Sequence, residues 1–363
     1  MLYPNKIKLA QYVYYISNPD KIEFKKETNM YIVQSYSLAV FMCFITMLCW
    51  GSWGNTQKLA SKEWRFQLFY WDYSLGIVLL MLLAGLTMGS FGSAGRSFLT
   101  DLTQAAPDSI VYALIGGVIF NFANILLVAA IDIAGMAVAF PVGIGLALVI
   151  GVIDNFIKQP KGNPVILFVG VALVVTAIIL DAVAYSKLPS EGRKNIAKGL
   201  ILSVLCGIAM GFFYGFIVKS MTINFTLPEP GKMTPYTASF VFAIGLFLSN
   251  FVWNTIVMYK PFSGASVKYA DYFKQGNLRL HAVGLLGGAI WAIGNLFSLL
   301  ASEKAGPAIS YGLGQGATMV AAFWGVFIWK EFKGAPKNTN PLIAAMFVCF
   351  ILGLAIIIYA RVA

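Results

Sequence analysis

Residues 115–145 read IGGVIFNFANILLVAAIDIAGMAVAFPVGIG, and residues 286–316, which lie 171 positions later, read LGGAIWAIGNLFSLLASEKAGPAISYGLGQG. The two stretches align without a gap and are identical at ten positions, among them Asn124 with Asn295. Each is long and apolar enough to contain one membrane span and much of the next. The alignment therefore predicts that a membrane-embedded unit is duplicated within the chain.

The composition is that of a membrane protein. The 363 residues are 59% hydrophobic and 11% charged, and their mean hydropathy is +0.76, far from the average of soluble domains. The net charge of +11 comes from basic residues scattered over short connectors, so we expect contact with membrane lipid and no nucleic-acid binding. The four cysteines lack metal-ligand spacing, and neither a metal nor a cofactor is predicted.

Ten runs of residues are long enough to cross a membrane as helices. They cover residues 33–54, 66–88, 109–130, 134–157, 164–186, 197–219, 236–258, 281–301, 306–329 and 341–360. The connectors between them are rich in Pro, Gly and Lys, as expected for turns. The sequence therefore predicts an all-α integral membrane protein with ten transmembrane helices.

The duplication divides these spans into two five-helix repeats. Residues 30–186 form the first repeat and residues 197–363 the second, with a linker at 187–196. Because five is odd, the second repeat must cross the membrane in the opposite sense, which makes the repeat inverted. Residues 1–29 are a polar, basic extension, and translation is expected to start at Met1 or at Met30. Basic residues are divided almost evenly between the two faces, so the orientation of the termini stays open.

Inverted repeats are typical of secondary transporters, because two related halves can open one central site to each side in turn. A duplication kept only for helix packing is the alternative. The sequence lacks the motifs of membrane proteases and of ATP-driven pumps. An enzyme is therefore not expected, and a membrane enzyme or a receptor without transport activity is the remaining class.

Polar side chains at membrane depth are the candidates for a solute-binding site. Asn124 and Asn295 each lie four residues after an aromatic residue, Phe120 and Trp291, so amide and ring share one helix face. Such a face suits a small polar molecule with an apolar ring surface, whereas the alternative role is a hydrogen bond between helices. The predicted substrate-binding residues are Asn124, Trp291, Asn295, Gln315, Tyr311, Trp50 and Asn254; for Trp50, a position in the interfacial aromatic belt is equally open.

Asp72 lies near the head of an unbroken apolar run, FYWDYSLGIVLLMLLAGL at residues 69–86. It is interpreted either as a carboxyl group that couples transport to proton movement or as one half of a structural ion pair with Lys58, at the end of the first span. Direct solute binding is a third role. His281, the single histidine, is expected to be a simple interfacial residue.

Ten spans in two inverted halves resemble the drug/metabolite transporter superfamily. Within it, GAIWAIGN (288–295) and KAGPAISYGLGQGATMVAAFWGVFIWKEF (304–332), with its Lys330–Glu331 pair, look like the glucose/ribose porter and rhamnose transporter branches. The copy at 115–145 is similar to plant ureide permeases. The resemblance implies uptake of a sugar or another small polar metabolite through a cavity lined by the first, third, fourth, sixth, eighth and ninth spans.

The sequence thus predicts a secondary active transporter that imports a small polar metabolite by alternating access, with a sugar as first choice and with proton coupling. The alternative is a ureide or nucleobase permease, or a metabolite or drug exporter of the same fold. The expected partners are the solute, a proton and membrane lipid, and the chain is expected to be a monomer or a homodimer. A bacterial inner (plasma) membrane is the expected location.

Overall fold

The structure, a computed structural model, describes residues 29–60, 63–134, 136–188, 196–262 and 264–363. The predicted N-terminal extension and the predicted linker lie outside these ranges, apart from their edge residues.

Ten long helices, numbered α1 to α10 in chain order, occupy the ten predicted spans within the described ranges. They are α1 (Tyr36–Ser52, continuing as Gly54–Ala60), α2 (Phe66–Leu86), α3 (Pro107–Ala134), α4 (Met136–Lys158), α5 (Pro164–Ser186), α6 (Ile196–Ser220), α7 (Pro235–Tyr259), α8 (Leu278–Ala305), α9 (Pro307–Gly314 and Ala317–Phe323, then a π-helix at Trp324–Ile328) and α10 (Asn340–Tyr359). Among the residues that the structure describes, nine of these helices are long and apolar enough to cross a membrane, and α4 is helical over 23 residues. The predicted all-α integral membrane fold is confirmed.

The helix starts follow from local sequence. The side chains of Asn163 and Asn277 accept hydrogen bonds from backbone N–H groups in the first turns of α5 and α8, as expected of N-cap residues. Proline occupies the first turns of α5, α7, α9 and α10, where its missing N–H costs no hydrogen bond. Short connectors can therefore end one span and begin the next.

The helix ends define two faces of the bundle. On the face that we call the C-terminal face, Arg361 donates to the carbonyl of Lys304 at 3.0 Å. On the opposite face, Arg279 at the start of α8 pairs with Glu63 at 2.8 Å. We call this face the cavity face, because the cavity described below opens there. Helix α8 thus begins at the cavity face and ends at the C-terminal face.

Helix α3 runs in the direction opposite to α8. The N–H of Ala106, just before α3, donates to the carbonyl of Gly231. In the same connector, the N–H of Phe225 donates to Glu303 near the end of α8. The start of α3 therefore lies at the C-terminal face, beside the end of α8.

Helix bounds and helix pairing support the predicted repeat. Helices α3 and α8 have 28 residues each, and both their starts and their ends lie 171 positions apart. Two short helices, Phe98–Gln104 and Tyr269–Gln275, also differ by 171 positions. Helix α8 packs against α1 and α2, and α3 packs correspondingly against α6 and α7. The contacts of α8 with α1 and α2 therefore correspond to those of α3 with α6 and α7. The opposed orientation of the complete halves stays a prediction.

Glycines repeat the same close approach in both halves. A Cβ atom added to Gly76 of α2 would lie 2.3 Å from the carbonyl oxygen of Leu285 in α8. A Cβ atom added to Gly245 of α7 would lie at the same distance from the carbonyl oxygen of Leu114 in α3. Small residues at these crossings let the helix backbones pack closely. Close packing matters in lipid, because burial of apolar surface contributes little to helix association there.

Candidate functional site

A cavity of about 460 Å³ extends from the cavity face to the middle of the bundle. Its lining comes from the six helices that the family resemblance implies, α1, α3, α4, α6, α8 and α9, together with Tyr185 of α5. This volume lies within the usual range for small-molecule sites. Of the seven predicted substrate-binding residues, four line the cavity: Trp50, Asn124, Trp291 and Gln315.

Aromatic rings form the floor of the cavity at mid-depth. The ring of Trp291 lies 4.3 Å from that of Phe120, its counterpart in the repeat. Trp50 stacks on Trp291 with ring centroids 6.0 Å apart and an interplanar angle of 14°, and Phe213 packs on Phe120 at 5.1 Å. A flat, apolar solute face can rest on such a surface.

Two buried carboxamides, Asn124 and Gln315, face the cavity with polar atoms that have no hydrogen-bond partner among the described residues. Asn124 is 3% exposed, and its Nδ2 donates to the Tyr70 hydroxyl at 3.1 Å. Within the described residues no donor reaches its Oδ1, and the side chain of Gln315 has no hydrogen-bond partner. A carboxamide offers both donors and acceptors, so these two can bind a solute that carries N–H and C=O groups.

An ion pair lies at the mouth of the cavity. Lys58 Nζ is 2.6 Å from Glu331 Oε1, and the Tyr185 hydroxyl donates to Glu331 Oε2 at 2.8 Å. Glu331 follows the π-helix of α9 and the left-handed residue Lys330, whose φ is 53°. π-Helical turns are frequent at functional sites, and this one turns the end of α9 so that Glu331 meets α1. The charged residues that line the described cavity thus neutralise each other at its mouth.

Three predicted substrate-binding residues do not line this cavity. The Tyr311 hydroxyl is fully buried and donates to the carbonyl of Met210 at 3.2 Å. Asn254 donates to the carbonyl of Gln67 at 2.9 Å, between α7 and α2. Asn295 lies one helical turn beyond Trp291 and is fully buried. For Tyr311 and Asn254 the structure therefore favours hydrogen bonds that hold helices together, the alternative role of polar residues in spans.

The predicted pairing of Asp72 with Lys58 is wrong. Asp72 is 2% exposed and accepts a hydrogen bond from Tyr272 in the second short helix at 2.5 Å. Its other carboxyl oxygen lies 2.9 Å from Nδ1 of His281 at the start of α8. Lys58 instead extends to Glu331. The prediction that His281 is a simple interfacial residue is also wrong.

Asp72, Tyr272 and His281 form a compact cluster at the cavity face. Burial, and then the neighbouring Asp72, raise the pKa of the Tyr272 phenol, so Tyr272 stays protonated and donates. The contact between Asp72 and His281 needs one hydrogen between the two atoms, carried by either the imidazole or the carboxyl group. Each carboxyl oxygen of buried Asp72 therefore has a side-chain partner, Tyr272 for one and His281 for the other.

Several cavity residues were not found from the sequence. Tyr185, Met210 and Phe213 lie in ordinary apolar runs and carry no signal of their own. Trp324 and Trp329 fall within the stretch 304–332 that resembles sugar-porter branches, so an aromatic count there could have found them.

Comparison with known proteins agrees with this arrangement. A family profile described as "Ureide permease" matches residues 69–198 and 190–360. The chain belongs to the ureide permease family. Ureide permease 4 of Arabidopsis thaliana is 24% identical over 90% of this chain and 98% of its own length, and ureide permease 1 of the same plant is 22% identical over the same shares.

Two further matches are more distant, one to a curated protein and one to a solved structure. The probable glucose uptake protein GlcU of Staphylococcus aureus is 23% identical over 64% of this chain and 73% of its own length. A solved crystal structure superposes with a TM-score of 0.55 at 14% identity, covering 90% of this chain and 98% of that one, which supports the fold alone. The predicted transporter is confirmed at the level of the family, and the matches favour the ureide alternative over the sugar reading.

Proposed function

We propose that this member of the ureide permease family carries a small, neutral ureide across the membrane through the cavity between its two halves. The observation that carries the proposal is an aromatic floor flanked by two buried carboxamides, Asn124 and Gln315, in a cavity whose two charged lining residues, Lys58 and Glu331, pair with each other. A ureide is a flat molecule with N–H donors and C=O acceptors in its plane. It can stack on Trp291 while its edge bonds to the carboxamides.

A sugar or a cationic drug fits this lining less well. A pyranose carries hydroxyl groups around its whole rim, whereas the uncharged polar side chains that line the described cavity are mostly carboxamides, those of Asn55, Gln57, Asn124 and Gln315. A cation would need a carboxylate, and the carboxylate that lines the cavity, Glu331, already pairs with Lys58 at the mouth. We expect the protein to select solutes that carry both N–H donors and C=O acceptors. A solute without these groups would leave the buried carboxamides without hydrogen-bond partners.

We also propose that import is coupled to protons at Asp72, with His281 and Tyr272 as its partners. Support comes from the contacts of buried Asp72 with Tyr272 and His281 and from a direct connection to the cavity. Tyr70, half a turn before Asp72 in α2, accepts the hydrogen bond of Asn124. If protonation or deprotonation of Asp72 shifts α2, the hydrogen bond between Tyr70 and Asn124 changes, and Asn124 faces the solute.

Direction, oligomeric state and location stay predictions. The relatives named above come from a plant and from a bacterium, and we retain import across a bacterial inner membrane as the working hypothesis. A monomer and a homodimer are both compatible with the proposed cavity, which is built within one chain.

The test is uptake by the purified protein in liposomes. Radiolabelled allantoin, a cyclic ureide, is supplied outside with an inward proton gradient, and unlabelled allantoin, uracil or glucose is added as competitor. We expect saturable uptake that unlabelled allantoin suppresses and glucose leaves unchanged. Allantoin uptake that does not saturate, or that glucose suppresses as strongly as unlabelled allantoin does, would overturn the substrate class, and protein-free liposomes are the blank.

A further inference from the structure

Asn295 has an unusual environment for a polar side chain. It is fully buried, and neither its Oδ1 nor its Nδ2 has a hydrogen-bond partner in the described part of the chain. A buried carboxamide without partners costs free energy, so such a group calls for an explanation. Asn124, its counterpart in the repeat, faces the open cavity and is already bonded through Nδ2.

Asn295 lies behind the aromatic floor of the cavity. Trp291, one turn earlier in α8, forms that floor, whereas Ser298, about one turn later, donates to the Tyr214 hydroxyl at 3.0 Å and lies 3.1 Å from the Ser310 hydroxyl. The three hydroxyl residues are fully buried. A polar patch thus begins at Asn295 and continues toward the C-terminal face, where the structure is closed.

The position of Asn295 mirrors that of Asn124. Each lies 17 residues after the start of its 28-residue helix, α8 or α3. Because these helices run in opposite directions, Asn124 lies about one turn from mid-depth toward the cavity face and Asn295 the same distance toward the C-terminal face. Exchange of the conformations of the two halves would open Asn295 and bury Asn124.

We infer that Asn295 is a second solute-binding residue, which contacts the solute only when the protein opens to the C-terminal face. In that conformation the hydroxyl groups of Ser298, Ser310 and Tyr214 line the path of the solute to the C-terminal face. The solute passes from Asn124 to Asn295 as Trp291 and Phe120 move apart. This inference rests on the proposed function for the identity of the solute, although not for the geometry.

The test is the sidedness of thiol labelling in the full chain. Asn295→Cys and Asn124→Cys are reconstituted in liposomes, with a C-terminal tag to report which face is outside, and are treated with a membrane-impermeant thiol reagent. We expect Asn295→Cys to react from the C-terminal face and Asn124→Cys from the cavity face, each more slowly in saturating allantoin. Asn121→Cys, at a buried amide bonded to α7, is the matched control and should not react from either face. The wild-type chain, with four native cysteines, is the blank.

Two results would overturn the inference: no reaction of Asn295→Cys from either face, or reaction from the cavity face. If Asn295→Cys does not fold, Asn295→Ala serves instead. It should raise the half-saturating allantoin concentration about two- to tenfold at the C-terminal face, the equivalent of one hydrogen bond, and leave the half-saturating concentration at the cavity face nearly unchanged. An equal rise at both faces would contradict the inference. Thiol labelling can be measured without a solute. If the protein does not bind ureides, the proposed function fails, but the side from which Asn295→Cys reacts still tests the inferred geometry.

Discussion

Gly117 and Gly288 make the same contact in the two halves of the protein. A Cβ atom added to Gly117 would lie 2.1 Å from the carbonyl oxygen of Phe242, and one added to Gly288 would lie 1.9 Å from that of Tyr73. The two glycines are 171 positions apart and the two carbonyls 169, so the crossing of α3 with α7 repeats that of α8 with α2.

Alanine at either glycine should therefore destabilise the bundle. The atoms in the way belong to helix backbone and cannot move aside without separating two spans. We expect Gly117→Ala and Gly288→Ala to lower the melting temperature in detergent by several degrees, in line with the roughly 1–3 kcal/mol typical of overpacking. Gly145→Ala is the matched control, since the nearest atom to its added Cβ lies 4.0 Å away. Equal melting temperatures for all three variants would refute the close approach.

Burial should make two ion pairs of equal length contribute differently to stability. Asp101 in the first short helix is fully buried, with Arg96 at 2.8 Å and the N–H of Thr234 at 2.7 Å. Removing one partner of a buried pair costs about 3–5 kcal/mol, so Asp101→Ala should strongly reduce the apparent free energy of unfolding.

Its control is the exposed pair on the other face. Glu63 and Arg279 keep 48% and 62% of their side chains exposed, and such pairs contribute about 0–1 kcal/mol. Thermal unfolding of Asp101→Ala and Glu63→Ala, side by side, measures the difference. A loss for Glu63→Ala as large as that for Asp101→Ala would contradict this assignment.

The sequence predicted the fold closely because the signals that it uses are local or periodic. Length and apolarity located the ten spans, and the offset of 171 recurs in the bounds of α3 and α8. The spacing of four residues correctly placed Phe120 with Asn124 on one face. Periodicity also brought Trp291 and Asn295 to one face, yet only Trp291 reaches the cavity, because Trp291 lies at mid-depth and Asn295 about one turn further toward the closed C-terminal face.

Partners distant in the chain could not be predicted in this way. Lys58 and Asp72 are close in sequence, whereas their observed partners, Glu331 and His281, lie more than 200 positions away from them. Helical periodicity specifies the face of a residue but not which helix covers that face. Only the packing of α8 and α9 against the first half determines these contacts.

Asn124 and Asn121 provide a test of the cavity within one helical turn. Both are buried amides, but Asn124 lines the cavity, whereas Asn121 donates to Ser249 at 2.9 Å and to the carbonyl of Leu246. We expect Asn124→Ala to raise the half-saturating ureide concentration by about two- to tenfold, because one hydrogen bond to the solute is lost.

Asn121→Ala should instead lower the melting temperature and leave the half-saturating concentration unchanged. Uptake kinetics and thermal unfolding on the same preparations distinguish the two effects. A rise in the half-saturating concentration for both variants would mean that the amides act through helix packing, not through the solute.

Asp72→Asn should abolish accumulation of solute against its gradient while sparing passive exchange. Asparagine fills the same space beside Tyr272 and His281 but cannot ionise, so the proton cycle stops while the cavity remains. The measurement compares uphill uptake, driven by a proton gradient, with exchange at equal solute concentrations. Lys58→Met is the matched control: its ion pair is with Glu331 at the mouth, so we expect uphill uptake to persist. His281→Gln, which removes the imidazole beside Asp72, should reproduce Asp72→Asn. Undiminished accumulation in Asp72→Asn would exclude the carboxyl group from coupling and leave it a structural role between α2 and α8.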